Sequence, residues 1–173
     1  MTAPPSAAGH AESGPGGIWA GYSDEPKPLP SYIGVMTVFG AAFGLALMTA
    51  TRERNSRSRF GAGDIVLLGI ATHKLSRLVS RDLVTSPIRA PFTQYVGEGD
   101  VPNEVSEKSR GKGARKVVGE LISCPFCLGT WLGSAMTFGL AFWPRATRLI
   151  ASCLTVNTIS DYLNTAYDKL YKK

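Results

Sequence analysis

The stretch IGVMTVFGAAFGLALMTA, residues 33–50, contains no charged side chain. About 20 mostly apolar residues in a helix are needed to cross the hydrocarbon core of a bilayer. Tyr32 precedes the stretch, where an interfacial aromatic side chain is typical. The stretch therefore predicts a membrane-spanning helix at about 32–51. Four arginines follow it and predict that it ends on the cytoplasmic side: Arg52, Arg54, Arg57 and Arg59.

Two segments near the C-terminus predict further spans. Residues 125–143 are uncharged and contain LGTWLGSAMTFGLAFW, and they end at a turn with the sequence Pro-Arg. Residues 147–165 return from that turn, but their uncharged core is short and lies between Arg148 and Asp161. That segment can span if Arg148 extends toward the membrane surface and Asp161 is tolerated near the inner end. Tyrosines and lysines after it are typical of an interfacial anchor.

Residues 64–83 form a different pattern, an amphipathic basic helix. One stripe is apolar, and the other carries His73, Arg77 and Arg81, with Lys74 at its margin. Basic side chains at the centre of a spanning helix are each unfavourable by several kcal/mol unless they are paired. We therefore expect this helix to lie at the interface with its cations on headgroups. The alternative is a true span that faces a polar bundle interior.

The other segments carry no long apolar run. Residues 1–30 hold six of the eleven prolines and few aliphatic side chains, so they predict a disordered tail. Residues 84–120 predict a soluble loop, acidic in its first half and basic in its second, in which Ser86-Pro87 is a possible start for a short helix. The remaining chain, 31–173, is predicted to be one helical membrane domain.

The charge distribution indicates which partners to expect. The net charge is +6, and the basic residues lie beside apolar blocks. Anionic lipid headgroups explain that placement, whereas no nucleic-acid motif is present. If 64–83 does not cross, every basic segment can share the cytoplasmic side, with three spans, an outside N-terminus and a cytoplasmic C-terminus. If 64–83 does cross, the four arginines face outward, against the usual bias.

The sharpest local motif is Cys124-Pro125-Phe126-Cys127 at the start of the second long apolar block. Three interpretations stay open. A helix N-terminus favours thiolate, so the pair is a possible redox centre. Zinc requires four ligands, so the pair would need His73 as a third ligand or a second copy of the chain. In the third interpretation the motif only starts a helix, with proline in its first turn.

The sequence contains no set of residues typical of an enzyme, such as a phosphate-binding loop or a Ser-His-Asp triad. Asp161 is the acid closest to the last predicted span. An acid in a membrane is stabilised by a nearby cation, and Lys74 and Arg77 are possible partners. Glycines four apart, at 40 and 44 and at 129 and 133, permit close helix packing, which we expect within one chain.

Two segments resemble a known family. They read ATHKLSRLVSRDLVTSPIRAPF, residues 71–92, and GELISCPFCLGTWLGS, residues 119–134. The chain looks like a family of small bacterial multi-pass membrane proteins of unknown function, some of which carry a sporulation label. The matching positions are Leu75, Arg77, Leu78, Asp82, Pro87, Arg89, Cys124, Pro125, Cys127, Gly129 and Trp131. The resemblance covers roughly 62–165, without the tail or the first span, and it implies a bacterial membrane location but no activity.

The sequence as a whole predicts an all-α membrane protein with three transmembrane helices, one amphipathic helix and a disordered N-terminal tail. We expect a component of the cytoplasmic membrane that binds lipid or a membrane-protein partner, a second copy of itself included, without catalysis. The alternative is a thiol-redox or zinc site at Cys124 and Cys127. Residues with a possible functional or structural role are His73, Lys74, Arg77, Asp82, Arg89, Trp131 and Asp161.

Overall fold

The structure, a computed structural model, describes residues 28–52 and 61–171. The predicted tail up to residue 27, three arginines of the basic segment and the last two lysines lie outside the described residues. The described residues form six α-helices, one 3-10 helix and one two-stranded sheet. The helices are α1 (Leu29–Arg52), α2 (Ala62–Ser80), α3 (Ser86–Arg89), α4 (Gly113–Ser123), α5 (Pro125–Phe142) and α6 (Pro144–Tyr171). The 3-10 helix is Leu83–Thr85, and the strands are β1 (Thr93–Glu98) and β2 (Val105–Ser109).

Helix α1 matches the first predicted span and buries none of its residues. Its threonine hydroxyls donate to backbone carbonyls of the preceding turn, Thr37 to Ile33 at 2.8 Å and Thr51 to Leu47 at 2.9 Å. These hydrogen bonds satisfy polar groups on an otherwise apolar surface. By length and composition α1 is one of two helices among the described residues that could cross a membrane, and α5 is the other.

Helix α2 is the centre of the bundle, because it packs against both α5 and α6. Small residues let α5 approach it closely. A Cβ atom added at Gly129 would lie 4.0 Å from Ser76, and one added at Gly133 would lie 3.5 Å from Thr72. The glycine spacing in α5 therefore serves packing within the chain, as we expected. The same expectation was wrong for Gly40 and Gly44 of α1, because a Cβ atom added at either would meet no described atom within 4 Å. The buried apolar core is Leu68, Ala71, Met136, Leu140 and Ala151.

The contacts fix the direction of each long helix. Phe39 of α1 packs edge-on against Trp131 of α5, and Phe43 packs against Phe138, so α1 and α5 run in the same direction. Helix α2 runs opposite to α5, since Ser76 lies beside Gly129 and the earlier Thr72 beside the later Gly133.

A turn at Trp143 reverses the chain between α5 and α6. Thr155 of α6 donates to the carbonyl of Leu67, and Asp161 lies beside Lys74, so α6 runs parallel to α2. Both ends of the described chain therefore lie at the same end of the bundle.

Residues 83–123 form a folded unit at that end, which we call the cap. Its strands pair antiparallel, Thr93 with Ser109 and Glu98 with Val105, with an irregularity between Tyr95 and Gly97. Helix α4 packs on β2. A Cβ atom added at Gly119 would lie 2.5 Å from the carbonyl oxygen of Phe92, so only glycine permits this close approach.

The cap corrects two predictions. Residues 84–120 are not a loop, because they contain two strands, most of α4 and a short helix at Ser86–Arg89. The chain is therefore mostly helical, as predicted, but not all-α. The short helix begins where Ser86-Pro87 predicted one, with the proline in its first turn.

Candidate functional site

The most deeply buried charge in the described residues is Arg89, at the end of α3. Its side chain has 0% exposure, and that of its partner Glu107 on β2 has 5%. The guanidinium donates to both carboxylate oxygens, at 2.9 and 3.0 Å. It also donates to the carbonyl of Val79 at 2.7 Å and to that of Asp82 at 3.0 Å. One side chain thus joins the end of α2, the 3-10 helix and the hairpin.

Glu107 has enough partners to remain ionised. Burial raises the pKa of its carboxyl, but hydrogen bonds from Arg89, Thr93 and Ser86 outweigh burial and hold the pKa below its usual range. The Thr93 hydroxyl donates at 2.7 Å and the Ser86 hydroxyl at 3.1 Å. Removing one member of such a buried pair is strongly unfavourable, because the other charge is left without compensation. The arrangement fixes the cap's shape and offers no free group for chemistry.

A second ion pair joins the cap to α2. Arg77 donates to both carboxylate oxygens of Glu104, at 2.6 and 2.7 Å. Asp82 lies beside this pair, since its backbone forms a bridge with Glu104. The Asp82 carboxylate accepts from the backbone N–H of Val84 at 3.2 Å and so caps the 3-10 helix. Arg77 and Asp82 thus have structural partners.

Two ion pairs connect α2 to α6. Lys74 Nζ lies 2.5 Å from the Asp161 carboxylate, and Arg148 donates to Asp64 at 2.8 and 2.9 Å. Asp64 also accepts from the backbone N–H of Gly61, at the start of α2. The structure thus brings Lys74 and Asp161 together, two of the residues that the sequence analysis singled out.

The two thiols of the CPFC motif lie at the start of α5. Cys124 precedes the helix, and its Sγ accepts from the backbone N–H of Cys127 at 3.3 Å. Both cysteines are free, and Cys127 is exposed. Burial raises the pKa of the Cys124 thiol, but hydrogen bonds from Cys127 and the backbone, together with the charge of Arg81, outweigh burial and lower it. Cys127 is therefore the more accessible thiol, and its hydrogen bond with Cys124 raises its pKa to about 11.

The remaining predicted residues lie elsewhere. His73 is exposed on α2, and Trp131 packs against Phe39 with ring centroids 4.8 Å apart. Within 28–52 and 61–171 no group of three or more His, Cys, Asp or Glu side chains could hold a metal ion. The structure thus does not bring His73 to the thiols as a third zinc ligand.

A basic turn leads from β2 into α4. A Cβ atom added at Gly113 would lie 3.9 Å from the Ser31 hydroxyl, so this turn lies beside the first turn of α1. The Tyr32 hydroxyl donates to the carboxylate of Glu120 and fastens α4 to α1. The basic residues in and beside the turn are Arg110, Lys112, Arg115 and Lys116, of which Arg115 donates to the carbonyl of Pro91 at 2.8 Å.

The acids that pair with the basic side chains of α2 and α3 were not predicted from the sequence. Glu107 and Glu104 lie on the hairpin, 18 and 27 residues along the chain from their arginines. The Thr, Tyr and Val residues of β1 carried a strand signal. Charged residues on both sides of the hairpin made this strand pattern hard to recognise, so Glu104 and Glu107 appeared to belong to a solvated loop.

Residues 67–167, which contain every ion pair described except the one between Asp64 and Arg148, match the family described as protein of unknown function (DUF1360). The sporulation protein YjcA of Bacillus subtilis is 29% identical over 107 residues, which cover 61% of this chain and 91% of that relative. The UPF0713 protein YngL of the same organism is 28% identical over 101 residues, covering 58% of this chain and 75% of that relative.

No solved structure matches the chain. The family resemblance drawn from the sequence motifs is confirmed, and α1 lies outside the matched region. Because the match covers more than half of the 173 residues, the chain belongs to the DUF1360 family of proteins of unknown function.

Proposed function

We propose that the chain is a multi-pass component of the bacterial cytoplasmic membrane whose helices α1, α2, α5 and α6 all cross the bilayer. The apolar surface that α1 leaves exposed supports this proposal most directly. None of its 24 residues is fully buried, and large apolar side chains such as Met36, Val38 and Leu45 are exposed, an arrangement that lipid stabilises and water does not. Helix α5 runs parallel to it and is also apolar enough to cross.

The ion pairs of α2 support its crossing. We predicted from the sequence that residues 64–83 lie at the membrane interface, because unpaired cations in hydrocarbon are unfavourable. Lys74 and Arg77 are paired, with Asp161 and Glu104. Two cations of α2 thus have partners in the same chain, as in the alternative that we left open. Helix α6, parallel to α2, then crosses as the fourth span.

Four crossings change the expected topology. Both chain ends and the cap lie on one side, and the arginine-rich segment between α1 and α2 lies on the other. The cap and the C-terminal end carry nine lysines and arginines, whereas the opposite end carries six, so the positive-inside bias makes the cap cytoplasmic. This proposal reverses the predicted placement of the N-terminus and of the arginine-rich segment.

We further propose that the cap binds anionic lipid headgroups, without catalysis. The observation that carries this proposal is the contact between the basic turn at Gly113 and the first turn of α1. Because α1 enters the bilayer there, these four basic residues lie near the level of the headgroups. Each lysine or arginine near an anionic surface contributes about 1 kcal/mol.

The lipid proposal is tested in nanodiscs that contain the full chain. Replacing Lys112, Arg115 and Lys116 by glutamine should abolish most of the rise in melting temperature that phosphatidylglycerol gives over phosphatidylcholine. The matched control replaces Arg52, Arg145 and Lys169 by glutamine, which removes equal charge away from the turn. An equal loss in both triple variants would show a general charge effect and contradict a site at the turn.

A thiol centre is the second candidate function, favoured by the lowered pKa of Cys124 beside the accessible Cys127. Residues three apart at a helix start are close enough to form a disulfide. Cys124 would attack a disulfide of a partner and release one partner thiolate. Cys127 would then attack Cys124 and release the second, leaving a Cys124–Cys127 disulfide.

The thiol candidate predicts a difference in rate. In a Cys127→Ser variant, Cys124 should react with iodoacetamide at pH 7 several times faster than a model thiol, because more of it is thiolate. Adding Arg81→Gln should slow the reaction, since the neighbouring positive charge is lost. A rate no faster than that of a model thiol, unchanged by Arg81→Gln, would leave the motif only a helix start.

A further inference from the structure

One exposed stripe of α6 consists of small or amide-bearing polar residues. Its members recur at intervals of three and four residues, so they lie on one side of the helix. All four are exposed, and we call them the polar stripe: Cys153, Asn157, Ser160 and Asn164. Other outward positions of the same helix carry large apolar side chains, such as Val156, Ile159 and Leu163. The two surfaces therefore face different surroundings.

The polar stripe lies deep in the bundle. Thr155 is level with Leu67 and Asp161 is level with Lys74, so Asn157 lies beside the middle of α2 (Ala62–Ser80). In the proposed four-crossing arrangement, on which this inference rests, Asn157 is near the centre of the bilayer. An amide in hydrocarbon without a full set of hydrogen bonds is unfavourable by several kcal/mol. Lipid tails provide no partner for it.

The Asn157 amide is only partly satisfied within its own chain. Its Nδ2 donates to the carbonyl of Cys153 at 3.0 Å, the one hydrogen bond that this amide makes among the described residues. One N–H and the amide oxygen remain available, a donor and an acceptor on the same group. Such a group can pair with an identical group.

The absence of an unpaired charge on the polar stripe limits which kind of helix can pack against it. Asp161, next to the stripe, is already paired with Lys74. The surface therefore presents neutral hydrogen-bonding groups with no net charge to neutralise, and a charged helix would gain no ion pair there. Ser160 and Cys153 are small, which permits close approach of a second helix.

We infer that the polar stripe is the interface at which a second copy of this chain packs, α6 against α6, in a parallel two-fold dimer within the membrane. A two-fold axis brings the same surface of both copies together, so each Asn157 faces the other. Asparagine pairs of this kind fix register and oligomeric state in coiled coils. The dimer supplies the hydrogen bonds that lipid cannot.

Cys153 provides a native probe of this interface. In membranes containing the full chain with Cys124→Ser and Cys127→Ser, copper phenanthroline should join two chains through Cys153 into a species of twice the mass. Ser160→Cys in a chain without other cysteines should do the same. The matched control is Ile159→Cys in that background, at a nearby depth but on the apolar side of α6, and it should give little cross-linking.

Asn157→Leu then tests the role of the amide. It should lower the yield from Cys153 several-fold, to about the level of Ile159→Cys, because the hydrogen bonds across the axis are lost. Equal cross-linking at Cys153 and Ile159→Cys, or a product with a different protein in place of the dimer, would overturn the inference. An unchanged yield in Asn157→Leu would overturn the role of the amide.

A separate measurement distinguishes failure of the dimer from failure of the proposed crossings. A membrane-impermeant maleimide should not label Cys153 in intact membranes if α6 crosses. Protection from labelling without cross-linking overturns the dimer and leaves the crossings in place. Labelling of Cys153 overturns the crossings, and the dimer with them.

Discussion

Replacing Arg89 by alanine should unfold the cap while the long helices stay in the membrane. The substitution leaves Glu107 buried without its cation, and breaking a buried ion pair in this way destabilises by about 3–5 kcal/mol. It also removes the donors to the carbonyls of Val79 and Asp82, which hold the cap on α2. Hydrogen exchange of the β1 and β2 amides measures the effect, and we expect their protection to be lost.

Two companion variants make this prediction specific. Lys108→Ala removes an exposed charge from the same strand as Glu107, and surface substitutions of this kind change stability by about 0.5 kcal/mol or less. Arg89→Met with Glu107→Leu removes both charges and should recover part of the protection, since no buried charge is left unpaired. Protected strands in Arg89→Ala would show that the pair does not hold the cap.

Replacing Asp161 by alanine should have the second largest effect. It leaves Lys74 without its partner in the α2–α6 interface. A lysine at the centre of a spanning helix is unfavourable by about 2.5–3.5 kcal/mol on insertion scales. We expect a lower fraction of folded chain in a detergent or denaturant titration, and faster proteolysis of the membrane-embedded chain.

A double substitution separates pairing from other roles of Asp161. Lys74→Met with Asp161→Leu removes both charges, so it should restore most of the stability lost in Asp161→Ala. If the double variant is as unstable as the single variant, the carboxylate has another partner. If Asp161→Ala is as stable as the unmodified chain, Lys74 already reaches water, and α2 does not lie in hydrocarbon.

The apolar helices were predictable because their signal is local. Residues 32–51 and 125–143 were assigned from the absence of charge, and α1 and α5 span Leu29–Arg52 and Pro125–Phe142. The family motif was also visible in the sequence, because its cysteines, prolines and arginines keep their spacing. Neither inference needed knowledge of a distant contact.

The proposed crossing of α2 was not predictable from its own residues. Its cations argued against burial in a membrane, and their partners lie far along the chain. Glu104 is 27 residues from Arg77, and Asp161 is 87 residues from Lys74. Ion pairing lowers the free-energy cost of placing these cations in hydrocarbon, and the pairs form only in the tertiary fold.

The cap was missed for a related reason. Its buried apolar residues are few, chiefly Val105 and Val117, and its core is the ion pair of Arg89 and Glu107. A folded unit whose core is a buried ion pair contains few apolar and many charged residues, as a solvated loop does. Hydrophobic periodicity does not distinguish the two cases.

The most direct test of the account asks on which side of the membrane each end of α2 lies. In a chain whose native cysteines are serine, single cysteines are introduced at Ser56, before α2, and at Gln94, on exposed β1, and intact cells receive an impermeant maleimide. Four crossings predict labelling of Ser56→Cys from outside and of Gln94→Cys only after permeabilisation. Labelling of both positions from the same side would show that α2 does not cross, and would contradict the account.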